Sequence, residues 1–194
     1  MNKEDKRAKK TKKALVQALS KLLDKKCLPN ITINELACTA DVHRSTFYTH
    51  YRDIYDLYQQ SEDAVINMIN DYIRMSSLNQ YDKLFSSVVD YLYDNQWICS
   101  MFFGRNASTI FQDRLCHLLT EHYIEICKQE EKLTTVPTEW NILAVYHVSG
   151  YIAMVKDWVQ NGLIYPKEKL ADMMSSLDNC FDSTIFIASG IEMK

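Results

Sequence analysis

Residues 31–57 read ITINELACTADVHRSTFYTHYRDIYDL, and the expected fold class follows from this stretch. Thr32 precedes a helix-forming run and Glu35 follows it by three positions, which is the spacing of a capping box. Residues 40–42 then predict a tight turn, and a second short helix is expected over residues 44–50. Two short helices joined by a turn are the elements of a helix-turn-helix.

The second of these helices has an outer surface that favours a nucleic-acid partner. Val42 and Phe47 are the apolar anchors expected to hold it against its neighbours. Its other side chains offer hydroxyl, guanidinium, imidazole and phenol groups, whereas an uncommitted surface helix more often carries Glu and Lys. Such groups suit base edges and phosphates in a major groove. They belong to Arg44, Ser45, Thr46, Tyr48, Thr49 and His50.

The rest of the chain predicts further helices and no convincing strand. Only 4 Gly and 3 Pro occur, so few tight turns are expected and long helices are favoured. We therefore predict an all-α protein, with a three-helix helix-turn-helix domain at residues 1–53 and a helical domain at residues 54–194. The expected helices cover residues 4–26, a stretch from 32, 44–50, a stretch from 53, 81–93, 97–103, 107–129, 138–161 and 166–187.

Charge is distributed unevenly along the chain. Residues 1–52 hold 12 Lys and Arg against 5 Asp and Glu, whereas the remainder holds 10 against 20. A basic head on an acidic body indicates that the head meets a polyanion, although a solvated basic helix is the alternative. Six cations crowd the first helix near its start, where the helix macrodipole does not favour them; an external anion or fraying into solvent would explain this.

Composition indicates a cytoplasmic protein without a membrane span. No run of 18 apolar residues occurs, and the charged N-terminus leads into no apolar signal segment. The six Cys form no CxxC pair, so we interpret them as free thiols in a reducing compartment. No cofactor and no metal are expected.

Residues 31–57 resemble the N-terminal domain of the TetR family of bacterial regulators. The resemblance covers about Lys12 to Leu57, and its most specific parts are STFYTHY at residues 45–51 and L-A-x-x-A-x-V at residues 36–42. It implies an all-helical homodimer whose last two helices form a four-helix interface with the partner. It also implies double-stranded, palindromic DNA as the ligand of the head, and an effector, either a small molecule or a protein, for the variable body.

The resemblance also implies a set of DNA-contacting residues, with three departures from the family pattern. Asp41 stands where the turn usually has Gly, which is tolerable because Asp adopts left-handed geometry more readily than most residues. His43 replaces the usual Ser cap and is expected to be a poorer cap. Ile54 replaces the Lys that commonly opens the next helix, which puts one phosphate contact in doubt. The implied DNA-binding residues are Lys12, Thr32, His43, Arg44, Ser45, Thr46, Tyr48, Thr49, His50 and Tyr51.

Two sets of apolar residues in the C-terminal domain have both a functional and a purely structural interpretation. A cluster of aromatic residues predicts a ligand pocket lined by rings, with ordinary core as the alternative for each ring. An apolar surface on the last two helices is the expected dimer interface, with monomer core as the alternative. The pocket candidates are Trp97, Phe102, Phe103, Phe111 and Tyr151, and the interface candidates are Val148, Ile152, Val155, Met173, Met174, Leu177 and Phe181.

Two further patterns are interpreted as structural. Asp113, His117 and Glu121 share one helix face with a spacing that suits a divalent metal, but a solvated polar face is preferred because no second ligand cluster accompanies them. Cys99, Cys116 and Cys127 suit oxidant sensing, but their surroundings favour inert thiols.

The sequence as a whole predicts a DNA-binding transcriptional regulator, a repressor relieved by an effector in the C-terminal domain. An enzyme is not expected, because no nucleotide, nucleophile-elbow or zinc-protease motif occurs. A protein-interaction module that has lost DNA binding is the other alternative, and Asp41 and Ile54 favour it slightly. The ending WVQNG at residues 158–162 is similar to a TetR subgroup that includes activators of dihydroxyacetone kinase operons, where a partner protein can be the effector.

Overall fold

The computed structural model describes residues 3–75, 84–130, 132 and 134–189. Within these residues the chain forms nine α-helices and no strand, which confirms the all-α prediction. A short 3-10 helix, Leu28–Asn30, lies between the first two helices. Residues 81–83, which the sequence assigned to a helix, lie outside the described residues. The α-helices are α1 Lys3–Leu23, α2 Ile33–Thr39, α3 Arg44–Tyr48, α4 Ile54–Met75, α5 Leu84–Asp94, α6 Gln96–Phe103, α7 Thr109–Glu130, α8 Thr138–Gln160 and α9 Lys167–Ser189.

The described chain packs as two units. The first comprises residues 1–68 and 95–109, and the second comprises residues 69–94 and 110–194. The boundary between the units falls within α4, and α6 belongs to the first unit although it follows α5 in the sequence. The sequence analysis placed the domain boundary after residue 53. This division describes packing alone, so the assignment of DNA binding to residues 1–53 stays a prediction.

The first unit is built on the apolar stripe of α1. Leu15 and Leu19 are completely buried, as helical spacing requires of residues on one face. The stripe packs against α2 and α6, and α2 packs against α3. Leu36 on α2, Phe47 on α3 and Leu57 on α4 are also completely buried, so each short helix has an apolar anchor in this core.

The turn between α2 and α3 has the geometry that the sequence requires. Asp41 has a φ of +53°, in the left-handed region, which confirms that Asp replaces the usual turn Gly without losing the turn. The Val42 amide donates to the Ala37 carbonyl at 3.0 Å and closes the turn. Asp41 therefore supplies the left-handed geometry of this turn, which Gly usually supplies.

The second unit contains α5 and α7–α9 together with the end of α4. Trp140 on α8 and Phe181 on α9 are the buried centre of one apolar cluster, to which Tyr123 on α7 contributes. Lys167 at the start of α9 donates to the Asp90 carboxylate of α5 at 2.6 Å, and this hydrogen bond raises the pKa of the lysine. Among the described helices, none combines the length and apolar character needed to cross a bilayer.

Candidate nucleic-acid interface

The start of α2 is fixed by side-chain capping. The Thr32 hydroxyl accepts a hydrogen bond from the Glu35 amide at 3.3 Å, as the capping spacing predicts. The Glu35 carboxylate pairs with the Lys26 ammonium, and the hydrogen bond from Lys26 lowers the pKa of Glu35. Thr32 is exposed at this helix start, where a phosphate contact was expected.

The start of α3 is capped by the imidazole of His43. Its Nδ1 atom accepts a hydrogen bond from the Ser45 amide at 3.3 Å and lies 2.7 Å from the Ser45 hydroxyl. The imidazole nitrogen thus takes the capping role that a Ser hydroxyl usually has, and the expectation that it is a poorer cap stays a prediction. His43 and Ser45 are exposed, so both remain accessible from outside.

α3 presents its polar side chains to solvent because one aromatic ring anchors it. Phe47 is 0% exposed and meets the Tyr48 ring edge-on with centroids 5.5 Å apart. The Arg44 guanidinium donates to the Tyr48 hydroxyl at 3.1 Å and lies 5.5 Å from the ring centroid. Arg44 and Tyr48 are therefore arranged together before any ligand arrives. Arg44, Ser45, Tyr48 and Thr49 are exposed, whereas Thr46 and His50 are half-buried.

Tyr51 lies in the core and not on the outer face where the sequence placed it. It is 5% exposed, and its ring packs on Phe47 with centroids 5.8 Å apart. Burial, with a smaller contribution from the Asp56 carboxylate, raises the pKa of its hydroxyl. The exposed Lys12 of α1 places its ammonium 5.8 Å from the Tyr51 ring centroid, so the first helix passes beside the end of α3.

The entry to α4 includes a cation that sequence reasoning missed. Asp53 caps α4 by accepting from the Asp56 amide at 2.8 Å, and Asp56 accepts from the Arg52 amide at 2.8 Å. The latter hydrogen bond lowers the pKa of Asp56. The Arg52 side chain is 88% exposed, while Ile54 is buried and offers no phosphate contact. The sequence signal that could have identified Arg52 is its position directly after residues 44–51.

The pocket candidates fall into two groups. Trp97, Phe102 and Phe103 lie on α6 in the first unit, where the Phe102 ring meets Tyr58. Phe111 and Tyr151 lie in the second unit, where Phe111 is buried and the Tyr151 ring packs on Phe85. A cavity of about 260 Å³ lies elsewhere in the second unit, at the C-terminal end of α8. Its lining residues are Met154, Asp157, Trp158, Asn161, Tyr165, Leu170 and Met173.

The interface candidates also divide by exposure. Met173 and Leu177 on α9 are exposed, and Ile152 on α8 is half-buried. The sequence did not single out two of the most exposed apolar side chains on α8, Ile142 and Tyr146, because they lie opposite the apolar face that periodicity selects. The remaining four candidates are buried within the subunit: Val148, Val155, Met174 and Phe181.

The polar row on α7 is exposed. His117 Nε2 lies 3.3 Å from a Glu121 carboxylate oxygen in an exposed i,i+4 pair, and Asp113 is exposed as well. Among the described residues, no group of three or more His, Cys, Asp or Glu side chains is arranged to hold a metal. Of the three cysteines considered for sensing, Cys99 is buried, and burial raises its pKa to about 12. A thiol with such a pKa is a poor nucleophile at neutral pH.

A capped helix-turn-helix on a helical body defines a class, that of helical DNA-binding transcriptional regulators. Residues 79–179 match a TetR C-terminal family described as "Transcriptional regulator C-terminal region". The chain therefore belongs to the TetR family of transcriptional regulators, which are not enzymes.

Solved structures with the same fold are also regulators. The dihydroxyacetone kinase operon activator DhaS is 17% identical with a TM-score of 0.62, covering 91% of this chain and 97% of its own. A TetR regulator from Streptococcus agalactiae is 20% identical with a TM-score of 0.61, covering 90% and 96%. A TetR-family regulator from Streptomyces coelicolor is 14% identical with a TM-score of 0.65, covering 99% and 85%. No curated protein matches the sequence.

Proposed function

We propose that the chain binds a palindromic operator as a homodimer and represses transcription until an effector binds its C-terminal domain. The single observation that carries this proposal is the outer side of α3. Three polar side chains of α3 and that of Thr49 directly after it are exposed there, and the buried Phe47 anchors the helix from its other side. A short helix with a buried anchor and a polar outer side fits the major groove.

The exposed donors on α3 and around it divide into a base-reading group and a backbone-contacting group. Arg44 is the only cation of this helix, and a guanidinium forms paired hydrogen bonds with the O6 and N7 atoms of guanine. The Arg44 guanidinium lies over the Tyr48 ring, so the arginine side chain loses little conformational freedom on binding. Thr32, Lys12 and Arg52 border the helix-turn-helix as exposed donors, and we assign them to phosphates.

Exposed apolar side chains on α8 and α9 support the homodimer. Tyr146 is 72% exposed and Leu177 is 48% exposed, and Ile142, Val145 and Met173 are exposed on the same two helices. Several large apolar side chains exposed on neighbouring helices are typical of a surface that another subunit covers. We assign these five residues, together with Ile152, to the interface. A two-fold dimer would present two α3 helices to half-sites one DNA turn apart, roughly 34–36 Å.

The first experiment tests sequence-specific binding. Genomic fragments retained by the purified protein are sequenced, and the recovered site is used in gel-shift titrations. Arg44→Ala should weaken binding to that site by about 1–3 kcal/mol. The difference in binding free energy between the site and a random duplex should become smaller. Arg105→Ala is the matched control, because Arg105 is an exposed arginine of the same unit outside α3. A reduced preference of the Arg44 variant for the site, with an unchanged control, would support the assignment; wild-type affinity and preference in the Arg44 variant would contradict it.

The second experiment tests the direction of regulation. The recovered promoter drives a reporter in cells with and without the protein. Repression predicts that reporter output rises when the protein is removed, and that Arg44→Ala behaves like the removal. A fall in output on removal would identify an activator and contradict the proposed repression while leaving the DNA contacts intact.

A further inference from the structure

The first three turns of α1 form a basic arm, residues 3–13, that precedes the core of the first unit. The helix begins at Lys3, but none of residues 5–13 is buried, and the first buried residue is Leu15. At 1.5 Å per residue the basic arm is about 16 Å long. Within residues 5–13, therefore, no side chain is anchored in the core of the first unit.

Four lysines share one face of the basic arm. Lys6, Lys9, Lys10 and Lys13 follow one another at i, i+3, i+4 and i+7, and all four are exposed. By helical spacing this lysine stripe lies on the side of α1 opposite Leu15, Leu19 and Leu22. Within the part of the chain that the structure describes, no carboxylate forms an ion pair with any of the four.

The placement of these cations is unfavourable for the isolated protein. Like charges three and four residues apart repel one another on a helix, and cations near a helix start oppose the macrodipole. An external polyanion relieves both effects at once. The chain after residue 52 carries twice as many acidic as basic residues, so a polyanion is attracted to residues 1–52 and not to the remainder.

The location of the basic arm selects which polyanion it meets. Lys12, on a different side of the same helix, lies over the Tyr51 ring, and Tyr51 follows α3 by three residues. The basic arm therefore projects from beside the end of the proposed reading helix. A helix in the major groove has a phosphate ridge on each side, so an arm leaving its end meets the phosphates of the flanking duplex.

We propose that the lysine stripe binds phosphates outside the operator half-site and forms a second, sequence-independent contact with DNA. This inference rests on the proposed function, because it takes α3 to be the reading helix. The stripe sets affinity and salt dependence, while α3 sets sequence preference.

The test replaces Lys6, Lys9, Lys10 and Lys13 by Gln in the full chain. Gln has nearly the same helix propensity as Lys, so α1 is retained. The matched control replaces Lys128, Lys132, Lys156 and Lys169 by Gln, which changes net charge equally in the second unit. Affinity for the recovered operator and for a random duplex of equal length is measured from 50 to 200 mM salt.

Each lost phosphate contact should lower the slope of log K against log salt by about 0.9. The stripe variant should therefore lose about 2 to 4 from the slope and bind both duplexes more weakly by the same factor. Its preference for the operator should be unchanged, and the control should keep the wild-type slope. Removing the duplex that flanks the half-sites should weaken operator binding by the wild type. The same change should leave the affinity of the stripe variant unaffected.

Two other outcomes would overturn the inference. Equal slopes for the stripe variant and the control would show that the stripe does not touch DNA. If the stripe variant lost the binding of the wild type to vesicles containing phosphatidylserine but kept the wild-type slope of log K against log salt for DNA, the stripe would be assigned to a membrane surface. Failure of the proposed function is distinguishable, because then wild type and Arg44→Ala bind operator and random duplex alike, whatever the stripe does.

Protection of the basic arm gives a second readout. Amide hydrogen exchange at residues 3–13 should slow when duplex is added to the wild type, because neutralised lysines no longer oppose the helix. In the stripe variant the duplex should slow exchange there much less, because of the proposed phosphate contacts in this segment only that of Lys12 is left. Equal protection in both proteins would overturn the proposal even if the slopes differed.

Discussion

Asp41 shows how a single residue sets the geometry of the helix-turn-helix. Its φ of +53° lies in a region that costs an L-residue about 1–2 kcal/mol, with Asp and Asn penalised less and Gly hardly at all. Asp41→Ala should therefore lower the free energy of unfolding by about 1 kcal/mol, while Asp41→Gly should preserve or raise it. Denaturant unfolding of the three proteins checks the order.

The neighbouring Cys38 provides the control for this prediction. Cys38 is exposed in α2 with ordinary helical geometry, so Cys38→Ala should change stability by much less than Asp41→Ala. If the Ala and Gly variants of Asp41 were equally stable, left-handed strain would not be the reason for the residue at this turn.

At the residue scale, the sequence predicted chemistry better than orientation. It identified Thr32 as a cap and Phe47 as an anchor, because both follow from spacing along one element. It counted Tyr51 among the DNA contacts, although the ring is buried, and it did not foresee that the His43 imidazole itself accepts the capping hydrogen bond. Whether Tyr51 is buried depends on the helices that pack around it, and whether His43 caps depends on a rotamer. Neither is encoded in local periodicity.

At the scale of elements, helix ends carry much of the specificity of the fold. Gly162 ends α8 with a φ of +76°, and the Leu163 amide donates to the Trp158 carbonyl at 2.9 Å. The Gly162 amide donates to the Val159 carbonyl at 3.0 Å, which completes a Schellman motif. Glycine suits this position because it adopts a positive φ without the steric penalty of a Cβ.

Two glycines of the α8 region should respond oppositely to alanine. Gly162→Ala should lower the free energy of unfolding by about 1 kcal/mol, because a Cβ disfavours the positive φ. Gly150→Ala should raise it by about 0.8–1 kcal/mol, because Gly150 is inside the helix and an added Cβ meets no described atom within 4 Å. Thermal and denaturant unfolding of both variants measure the pair. Destabilisation by Gly150→Ala would indicate that this exposed face of α8 is covered.

The packing of α4 on α6 should make stability sensitive to alkaline pH. The Tyr58 hydroxyl donates to the Met101 carbonyl at 3.4 Å, and burial, with a smaller contribution from the Glu62 carboxylate, raises its pKa to about 12. In the unfolded chain the pKa is about 10. The folded state keeps the phenol protonated, so this stability is present below pH 10 and is lost as pH rises from 10 to 12.

The loss amounts to about 2–3 kcal/mol across that window for a shift of two units. Tyr58→Phe should remove this part of the pH dependence, whereas Tyr55→Phe, at an exposed position on the same helix, should retain it. Urea unfolding at several pH values between 8 and 12 tests the difference. Parallel stability profiles for wild type and Tyr58→Phe would contradict the role of burial.

The elements themselves were predictable because their apolar periods are long. α1 and α8 were located within a few residues from repeating leucine, valine and aromatic positions. The five-residue α3 is too short for a periodic signal, and turn chemistry with the order of residues 45–51 located it instead. Its end at Tyr48, and not near His50, reflects local backbone geometry that pattern reasoning resolves poorly.

At the scale of the whole molecule, the sequence predicted two domains but not which helices pack together in each unit. Residues 95–109 join the first unit although they lie more than forty residues after α3, and α6 packs on α1. The apolar character of α6 predicted burial but not against which helix. The exposed Tyr146 was missed for a different reason, because it lies opposite the face of α8 that apolar periodicity selects.

The proposed homodimer gives a prediction about assembly. Tyr146→Glu and Leu177→Glu place a charge on the exposed apolar surface of α8 and α9, where a partner would have to desolvate it. Each variant should sediment as a monomer at concentrations where the wild type is a dimer. Ile110→Glu is the matched control, because Ile110 is 63% exposed on α7 outside this surface, and it should stay dimeric.

Loss of the dimer should weaken operator binding without altering α3. Two linked reading helices bind with an effective concentration that a monomer lacks, so the Tyr146 and Leu177 variants should lose about 100-fold or more in operator affinity. Circular dichroism spectra that match the wild type would show that the subunit fold persists. The assignment would be wrong if Tyr146→Glu remained a dimer with full operator affinity while Ile110→Glu became a monomer. The interface would then be assigned to the exposed face of α7 and not to α8 and α9.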